Sequence, residues 1–176
     1  MKAIVIHQYG GPEVLKFEDV PDPVAGAGEV VLRVAAASIN PIDIAERAGL
    51  TKDFKPVTFP GVLGWDLAGT VISVGPDVKG FSLGDKALAW AYHTYAELCA
   101  VKAELLAKVP EGLDLVEAAA LPLVTITGNE LISRQRSEGG ADGACLRRVG
   151  QRRPLGGLYR QGAQRHSDRR RPQDPA

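Results

Sequence analysis

The chain has 176 residues, 45% of them hydrophobic, and 21 basic side chains balance 21 acidic ones. This length allows one ordinary domain with a real core, and no stretch approaches the roughly 18 apolar residues of a membrane span. The opening "MKAIVIHQYGGPEV" turns polar too early for a signal peptide, and two cysteines are too few for a disulfide framework. We therefore expect a cytoplasmic protein without a membrane segment.

The neutral total conceals a sharp division at Ser133. Up to that residue there are ten basic and seventeen acidic side chains, whereas residues 134–176 contain eleven arginines and four acids. All eight lysines lie at or before Lys108. Two compositional regimes meet in one chain, so each part needs its own interpretation.

The first 110 residues are rich in strand signals. "KAIVIHQ" and "LKFEDV" flank the turn signal "YGGPE", and "EVVLRVAAASI" follows the breaker-rich "PDPVAGAG". Further along, "LAGTVISVG", "DKALAWA" and "TYAELCAV" supply three more strands. We predict a mainly β domain with a few helices, an α+β fold.

Two helical regions are predicted among and after these strands. In "NPIDIAERAGL", Asn40 can cap a short helix, Pro41 suits its first position and Gly49 can end it. From Asp114, "DLVEAAALPLVTITGNELIS" has apolar residues at helical spacing, with an interruption at Pro122. This second pattern fits either two consecutive helices or one bent helix.

The glycine-rich stretch "FPGVLGWDLAGTVISVGPDVKGFSLGDKALA" places bends at nearly every strand end, as barrel corners require. Together with "GGPEVL", "ASINPID" and "LAKVPEGLDLVEAAALPLVTITG", it resembles the GroES-like catalytic domain of the medium-chain dehydrogenases/reductases, most closely their quinone oxidoreductase branch. The resemblance runs from Met1 to about Ile132. It implies a partly open GroES-like β-barrel at 1–112 and connecting helices at 113–133. We expect residues 134–176 to form an Arg-rich, disordered tail, an out-of-frame remnant of a Rossmann domain.

The same resemblance bears on metal binding. Alcohol dehydrogenases of this superfamily hold a catalytic zinc with a Cys before the short helix, a His-Glu pair in the glycine-rich stretch and a later Cys. Asn40 and Trp65-Asp66 stand at the first two places here, and neither Asn nor Trp replaces a thiolate or imidazole ligand. His7 and His93 each stand alone in a strand or at a strand edge, where a structural role is expected. We predict no metal site.

A member of this superfamily without zinc has no Lewis acid to polarise its substrate. The resemblance therefore implies hydride transfer from a nicotinamide to an acceptor that is already electron-poor, a quinone or an α,β-unsaturated carbonyl. In the family, the Asn of the "NPxD" motif and a Thr of the helix after "LPL" line the nicotinamide cleft. This carries over to Asn40 and Thr127 as catalytic residues, and to Asn40, Thr125 and Thr127 as cofactor contacts. Asn40 could instead be a pure helix cap. The implied cofactor is NADPH or NADH without zinc, and the implied full-length enzyme is a homodimer.

In the family a Rossmann domain follows, and it binds the dinucleotide. Residues 133–161 instead read "SRQRSEGGADGACLRRVGQRRPLGGLYRQ", with no apolar strand and no glycine fingerprint. Three explanations compete: an arm that binds nucleic acid through phosphates, a disordered tail, and a shift of the reading frame by one base. Read one base later, codons compatible with residues 134–161 can encode "GNGVKAGQTVLVSGASANVGRSAVYTAK", which has a strand, a glycine-rich turn and a helix start.

We favour the frameshift, so that the 176-residue product is a truncated form that lacks the Rossmann domain. The arm is disfavoured because Tyr159 is the only aromatic residue among the arginines. The alternative function is a non-enzymatic GroES-like binding module whose basic tail contacts nucleic acid or an acidic partner.

Sequencing the gene tests the frameshift. We expect the DNA after the codon for Ser133 to encode the strand, turn and helix when it is read one base later. The shifted codons at Glu138, Asp142 and Gln151 leave only two choices each, and every one includes a residue that the family pattern accepts. Under this hypothesis the 176-residue product shows weak or absent NAD(P)H binding and no turnover. DNA that cannot encode the string would contradict it, as would saturable NADPH oxidation with a quinone by this chain.

Overall fold

Two antiparallel sheets form the framework of residues 1–137, the part of the chain that this computed structural model describes. The strands are β1 (Lys2–Ile6), β2 (Lys16–Asp19), β3 (Glu29–Ala36), β4 (Gly61–Val62), β5 (Asp66–Val74), β6 (Lys86–Trp90), β7 (Leu98–Lys102) and β8 (Leu106–Lys108). The smaller sheet has the order β2-β1-β4, and the larger has the order β7-β3-β5-β6-β8. Neither sheet closes on itself among these strands, so the architecture is open. The predicted mainly β class with a few helices is confirmed.

Three α-helices accompany the sheets. They are α1 (Pro41–Arg47), α2 (Leu115–Ala119) and α3 (Pro122–Ser137). Asn40 is the N-cap residue of α1 and a proline occupies its first turn, as predicted. A break before Pro122 separates α2 from α3, so the second helical region is two helices rather than one bent helix. α3 continues past Ser133 to Ser137. The rest of the predicted tail, residues 138–176, lies outside the part of the chain that the structure describes.

The larger sheet is covered on both faces because side chains alternate along its strands. In β5, Leu67 and Val71 point into the main core. Ala68, on the opposite face, packs against Ala118 and Ala119 of α2. Full burial of a Val or Leu side chain stabilises a fold by about 1.5–3 kcal/mol, whereas alanines on the other face allow the helix to approach the sheet closely. The larger sheet is therefore packed on both faces.

The chain divides into two compact units, Met1–Gly128 and Asn129–Ala176. The first unit contains both sheets, α1, α2 and the first part of α3. The domain boundaries predicted at 112 and 133 stay predictions. Within residues 1–137, none of the helices has the length and apolar character needed to cross a membrane.

Gly69 lies where β3 and β5 approach closely. A Cβ at this position would collide with the backbone carbonyl of Arg33, which cannot rotate away as a side chain could. We expect Gly69→Ala to lower the free energy of unfolding by about 1–3 kcal/mol, the usual cost of overpacking, as measured by urea denaturation. In the control Gly128→Ala in α3, nothing lies within 4 Å of the added Cβ. Since Ala is favoured over Gly in helices by about 1 kcal/mol, the control should be neutral or stabilising. Equal stability of Gly69→Ala and the parent would contradict this packing.

Candidate active site

Asn40, the first predicted site residue, is buried at the N-terminus of α1. Its backbone N–H donates to the Asp43 carboxylate at 2.6 Å, so the first turn of the helix is tied back to its cap. The Asn40 side-chain amide turns elsewhere. It donates to Ser38 Oγ at 3.0 Å and approaches both carboxylate oxygens of Asp66 at 3.4 Å. Asn40 is therefore the cap residue by position, while its side chain belongs to a polar cluster with Ser38 and Asp66.

Asp66 is the centre of this polar cluster. It is the first residue of β5 and is fully buried. Its Oδ1 accepts hydrogen bonds from the Ser38 hydroxyl at 2.7 Å and from the Ser38 N–H at 3.3 Å. The pairing of Ala36 with Ala68 brings the end of β3 beside the start of β5, so the chain that leaves β3 passes Asp66. A buried carboxylate needs such donors, and in return it fixes the segment that leads into α1.

Asp43 is a second buried carboxylate, in the first turn of α1. Its Oδ2 accepts the Asn40 N–H, and its Oδ1 is buried without a hydrogen-bond partner among the described residues. Burial raises the pKa of Asp43, although the backbone hydrogen bond from Asn40 opposes this effect. The negative charges of Asp66 and Glu46 raise the pKa further. Asp43 thus anchors its helix at an electrostatic cost.

Tyr95 contacts the polar cluster through its hydroxyl group. Its hydroxyl donates to the Ser38 carbonyl oxygen at 3.2 Å. Burial, and then the charge of Asp43, raise the pKa of the phenol, so Tyr95 stays a neutral donor. Gly64, with φ +103°, makes the turn that passes beside this ring, and a Cβ there would contact Thr94 and Tyr95. This turn needs glycine because both its backbone conformation and its surroundings exclude a side chain.

An ion pair between Glu46 and Lys55 lies at the other end of α1. The Lys55 Nζ is 2.7 Å from Glu46 Oε1, and the two side chains are 30% and 6% exposed. The second Glu46 oxygen accepts the indole N–H of Trp65 at 2.9 Å. The ammonium also lies 3.8 Å from the centre of the Trp65 ring and 4.0 Å from that of Tyr92, well within cation–π range. The pair is roughly 9 Å along the helix from Asn40, at 1.5 Å per residue.

A cavity of about 500 Å³ opens beside this ion pair and is called here the lysine cavity. Glu46, Lys55, Thr58, Tyr92 and His93 contribute its polar side chains. The remaining wall is mainly apolar: Pro56, Val57, Pro60, Val62 and Leu63. A cavity of this size, largely apolar with a few fixed polar groups, has the character of a small-molecule site.

The two predicted threonines lie on α3. Thr125 lines a second cavity of about 470 Å³, formed with residues of β6 and β8 and called here the threonine cavity. Thr127 is exposed, and its hydroxyl donates to the carbonyl oxygen one turn earlier in the helix at 2.7 Å. In the described part of the chain, neither threonine is hydrogen-bonded to Asn40. The catalytic and cofactor roles of Asn40, Thr125 and Thr127 stay predictions.

Aromatic side chains connect the two cavities. Trp90, at the end of β6, lines the threonine cavity, and Tyr92 lines the lysine cavity. Their ring centres are 5.8 Å apart, and Trp65 packs edge-on against Tyr92 at 4.8 Å. Trp90 also pairs with Asp66 across the sheet. The polar cluster, the ion pair and both cavities are therefore neighbours around the ends of β5 and β6.

The predicted structural histidines lie apart from each other. His7 Nε2 contacts the Glu18 carboxylate at 2.9 Å on the surface, and His93 Nδ1 donates to the Val62 carbonyl oxygen at 2.8 Å. Cys99 is buried, and burial raises the pKa of its thiol to about 12, so it stays protonated. Among residues 1–137, no group of three or more His, Cys, Asp and Glu side chains is placed to hold a metal ion.

Two open antiparallel sheets, a short capped helix and a polar cluster between them define a GroES-like domain. Residues 26–111 match the alcohol dehydrogenase GroES-like domain family. Relatives of the chain include quinone oxidoreductases, so the resemblance that the sequence motifs indicate, to the GroES-like domain of the medium-chain dehydrogenases/reductases, is confirmed.

The similarity to individual relatives covers most of this chain but less than half of each relative. The chain is 35% identical over 138 residues to the chloroplast envelope quinone oxidoreductase homolog of Arabidopsis thaliana, covering 76% of this chain and 42% of that protein. It is 36% identical over 151 residues to the chloroplastic NADPH-dependent alkenal/one oxidoreductase of the same plant, with 80% and 39% covered. The solved quinone oxidoreductase from Coxiella burnetii matches with a TM-score of 0.67 at 33% identity, over 76% of this chain and 44% of that one. The chain thus spans about two fifths of the length of the curated relatives it matches.

Sequence reasoning missed the ion pair and its aromatic neighbours. Trp65 entered only as a residue that cannot bind zinc, and Glu46, Lys55 and Tyr92 were not singled out. The sequence contained one signal for this site: Asp43 and Glu46 are three residues apart, so two acidic side chains share one face of the predicted helix. α1 buries both of these acids and exposes Ile44, the reverse of an ordinary amphipathic helix. Such an inverted pattern indicates a helix face turned towards a polar site.

Asp43 predicts a pH dependence of stability. Because its pKa is raised in the fold, the folded protein binds more protons than the unfolded chain above the ordinary value of 3.8, and the free energy of unfolding falls as pH rises through that window. We expect Asp43→Asn, which keeps an oxygen acceptor but carries no charge, to flatten this part of the curve. Urea denaturation from acidic to neutral pH measures the effect. Asp53→Asn, a change of an exposed carboxyl, is the control and should leave the curve as in the parent. An unaltered curve in Asp43→Asn would contradict the burial effect.

Proposed function

We propose that this chain is the substrate-side domain of an NAD(P)H-dependent oxidoreductase that reduces quinones or α,β-unsaturated carbonyl compounds. The observation that carries the proposal is the buried polar cluster of Ser38, Asn40 and Asp66, which lies in the segment matched to the GroES-like family. Two cavities of small-molecule size lie near it: Trp90, which pairs with Asp66 across the sheet, lines the threonine cavity, and Glu46 of α1 lines the lysine cavity. The names of the relatives, a quinone oxidoreductase homolog and an NADPH-dependent alkenal/one oxidoreductase, support the reaction class.

The chemistry of such acceptors suits this site. A bound nicotinamide cofactor supplies the hydride, and the acceptor is already polarised by its own carbonyl group. The chain's residues then have to position a flat molecule and exclude water. Apolar walls and three packed aromatic rings suit that task, since correct placement alone can contribute much of the rate.

The described residues offer contacts for the nicotinamide ring of the cofactor, but they include no unit that binds its pyrophosphate. The Thr127 hydroxyl donates within its helix, which leaves its oxygen able to accept a further hydrogen bond. Thr125 lines the threonine cavity, and Asn40 is held rigidly by Asp66. Residues 1–137 contain no strand that is followed by a glycine-rich turn and a helix, the unit that binds the pyrophosphate. We assign Asn40 and Thr127 as catalytic residues, and these two with Thr125 as cofactor contacts; the cofactor is NADPH or NADH.

The proposed site works without zinc. The support comes from residue chemistry, since Asn40 and Trp65 offer an amide and an indole where zinc needs imidazole or thiolate. The Asp66 carboxylate already accepts hydrogen bonds from Ser38 and Asn40. An electron-poor acceptor does not require a Lewis acid.

The partners in this proposal are small molecules rather than nucleic acid or a membrane, and the full-length enzyme is a homodimer. A cytoplasmic location is also proposed. The Arg-rich stretch that suggested nucleic-acid binding and the frameshift lies outside the described residues from 138 onward.

Turnover tests the proposal. The gene is expressed as it stands and with the reading frame after Ser133 shifted by one base, and NADPH oxidation is followed with a naphthoquinone and with an enal. We expect turnover by the frame-shifted protein, unaffected by a chelator, and none by the 176-residue product. In the active form, Asn40→Ala should lower kcat/KM about 100-fold, the cost of losing one positioned polar group.

The matched control for this experiment is Asn129→Ala, which changes the exposed asparagine of α3 and should leave kcat/KM unchanged. A frame-shifted, folded protein that oxidises NADPH with neither acceptor would contradict the proposed function. Full activity of Asn40→Ala would contradict the role of Asn40, and loss of activity with a chelator would contradict zinc independence.

A further inference from the structure

We infer that Lys55 is a specificity-determining residue of the acceptor site: its ammonium donates a hydrogen bond to the carbonyl oxygen of a neutral, flat acceptor in the lysine cavity. This inference rests on the proposed function for the class of acceptor. The assignment of Lys55 itself follows from the contacts of its side chain.

Lys55 has hydrogen-bond donors to spare. An ammonium carries three N–H groups, and among the described residues Lys55 Nζ has one hydrogen-bond acceptor, Glu46 Oε1. The faces of Trp65 and Tyr92 attract its charge but are not oxygen acceptors. With 30% of the side chain exposed and the residue in the cavity wall, at least one N–H can reach a bound molecule.

The ammonium is also held in place before any ligand arrives. Glu46 is nearly fully buried and is itself fixed by the Trp65 indole N–H at 2.9 Å. Two aromatic rings confine the lysine on its other sides. A lysine on the surface would lose side-chain entropy on binding a ligand, whereas here that cost is already met in folding. A preorganised cation is the kind of group that stabilises negative charge developing on an oxygen.

The surroundings favour a neutral carbonyl compound over an anion. Glu46 neutralises Lys55 within the same cavity wall, so a carboxylate or phosphate would gain one attraction and meet one repulsion. The rest of the wall is mainly apolar, with Val57, Val62 and Leu63 among its residues. A flat apolar body with one carbonyl oxygen satisfies both features. The positive charge of Lys55 then stabilises the negative charge that forms on that oxygen when the molecule is reduced.

The test separates carbonyl recognition from packing. The ligands are a naphthoquinone methylated at both reactive ring positions, which cannot add thiols, and the dimethylnaphthalene of the same shape without carbonyls. Binding to the 176-residue chain is followed by quenching of its two tryptophans, Trp65 and Trp90. Lys55→Met alone would leave Glu46 as an unpaired buried charge, which is strongly destabilising. The informative variant is therefore Glu46→Gln with Lys55→Met, compared with Glu46→Gln alone.

We expect the double variant to bind the quinone about tenfold more weakly than Glu46→Gln, the value of one hydrogen bond from a charged donor. Its affinity for the hydrocarbon should be unchanged. Lys52→Met, at an exposed neighbouring lysine, is the matched control and should bind both ligands as the parent does. Equal loss for both ligands would show that Lys55 only packs, and no loss for either would show that it does not touch the ligand; each result overturns the inference. So would failure of the parent chain to bind the quinone.

These outcomes are independent of turnover. A frame-shifted enzyme that reduces quinones while its affinity does not depend on Lys55 would disprove this inference and leave the proposed function standing. Selective quinone binding through Lys55 in a protein that never oxidises NADPH would do the reverse.

Discussion

The fully buried Asp66 carboxylate is the constraint on which the site depends. A charge in this position is tolerated only when hydrogen-bond donors surround it. Its donors come from Ser38 and Asn40, residues that follow β3 and lead directly into α1. One side chain at the start of β5 thereby sets the path of the chain into the helix. Once that path is set, α1 presents Asn40 at one end and Glu46 at the other.

The helix is unusual because of what it buries. Asp43 and Glu46 face inward while Ile44 faces solvent, so the hydrophobic effect does not hold α1 in place. Hydrogen bonds to Asn40 and Trp65 and the ion pair with Lys55 hold it instead. Buried polar groups of this kind stabilise less than apolar packing would. Their presence on a seven-residue helix beside the lysine cavity indicates selection for a site rather than for stability.

The two cavities suggest a division of labour within the proposed enzyme. Thr125, one of the proposed cofactor contacts, lines the threonine cavity, and the lysine cavity holds a cation fixed beside apolar walls. Trp90 and Tyr92 connect them at the end of β6. An acceptor bound at Lys55 would lie beside Tyr92, whose ring is 5.8 Å from that of Trp90 in the wall of the threonine cavity.

Among the described residues, the sequence by itself determined all strands except the short β4 and β8, α1 with its cap position, the break at Pro122 and the family resemblance, because periodicity, turn residues and motif order are local properties. It also led to Asn40, since the "NPxD" motif is contiguous. Only the tertiary structure decided that the Asn40 amide contacts Asp66 and that Glu46, Lys55, Trp65 and Tyr92 meet. Tyr92 and Glu46 are far apart along the chain, and nothing in either local sequence signals a partner. Side chains that converge from a helix, a loop and two strand ends become one site only when β3, β5 and β6 pair in register, because that pairing sets the distances between them.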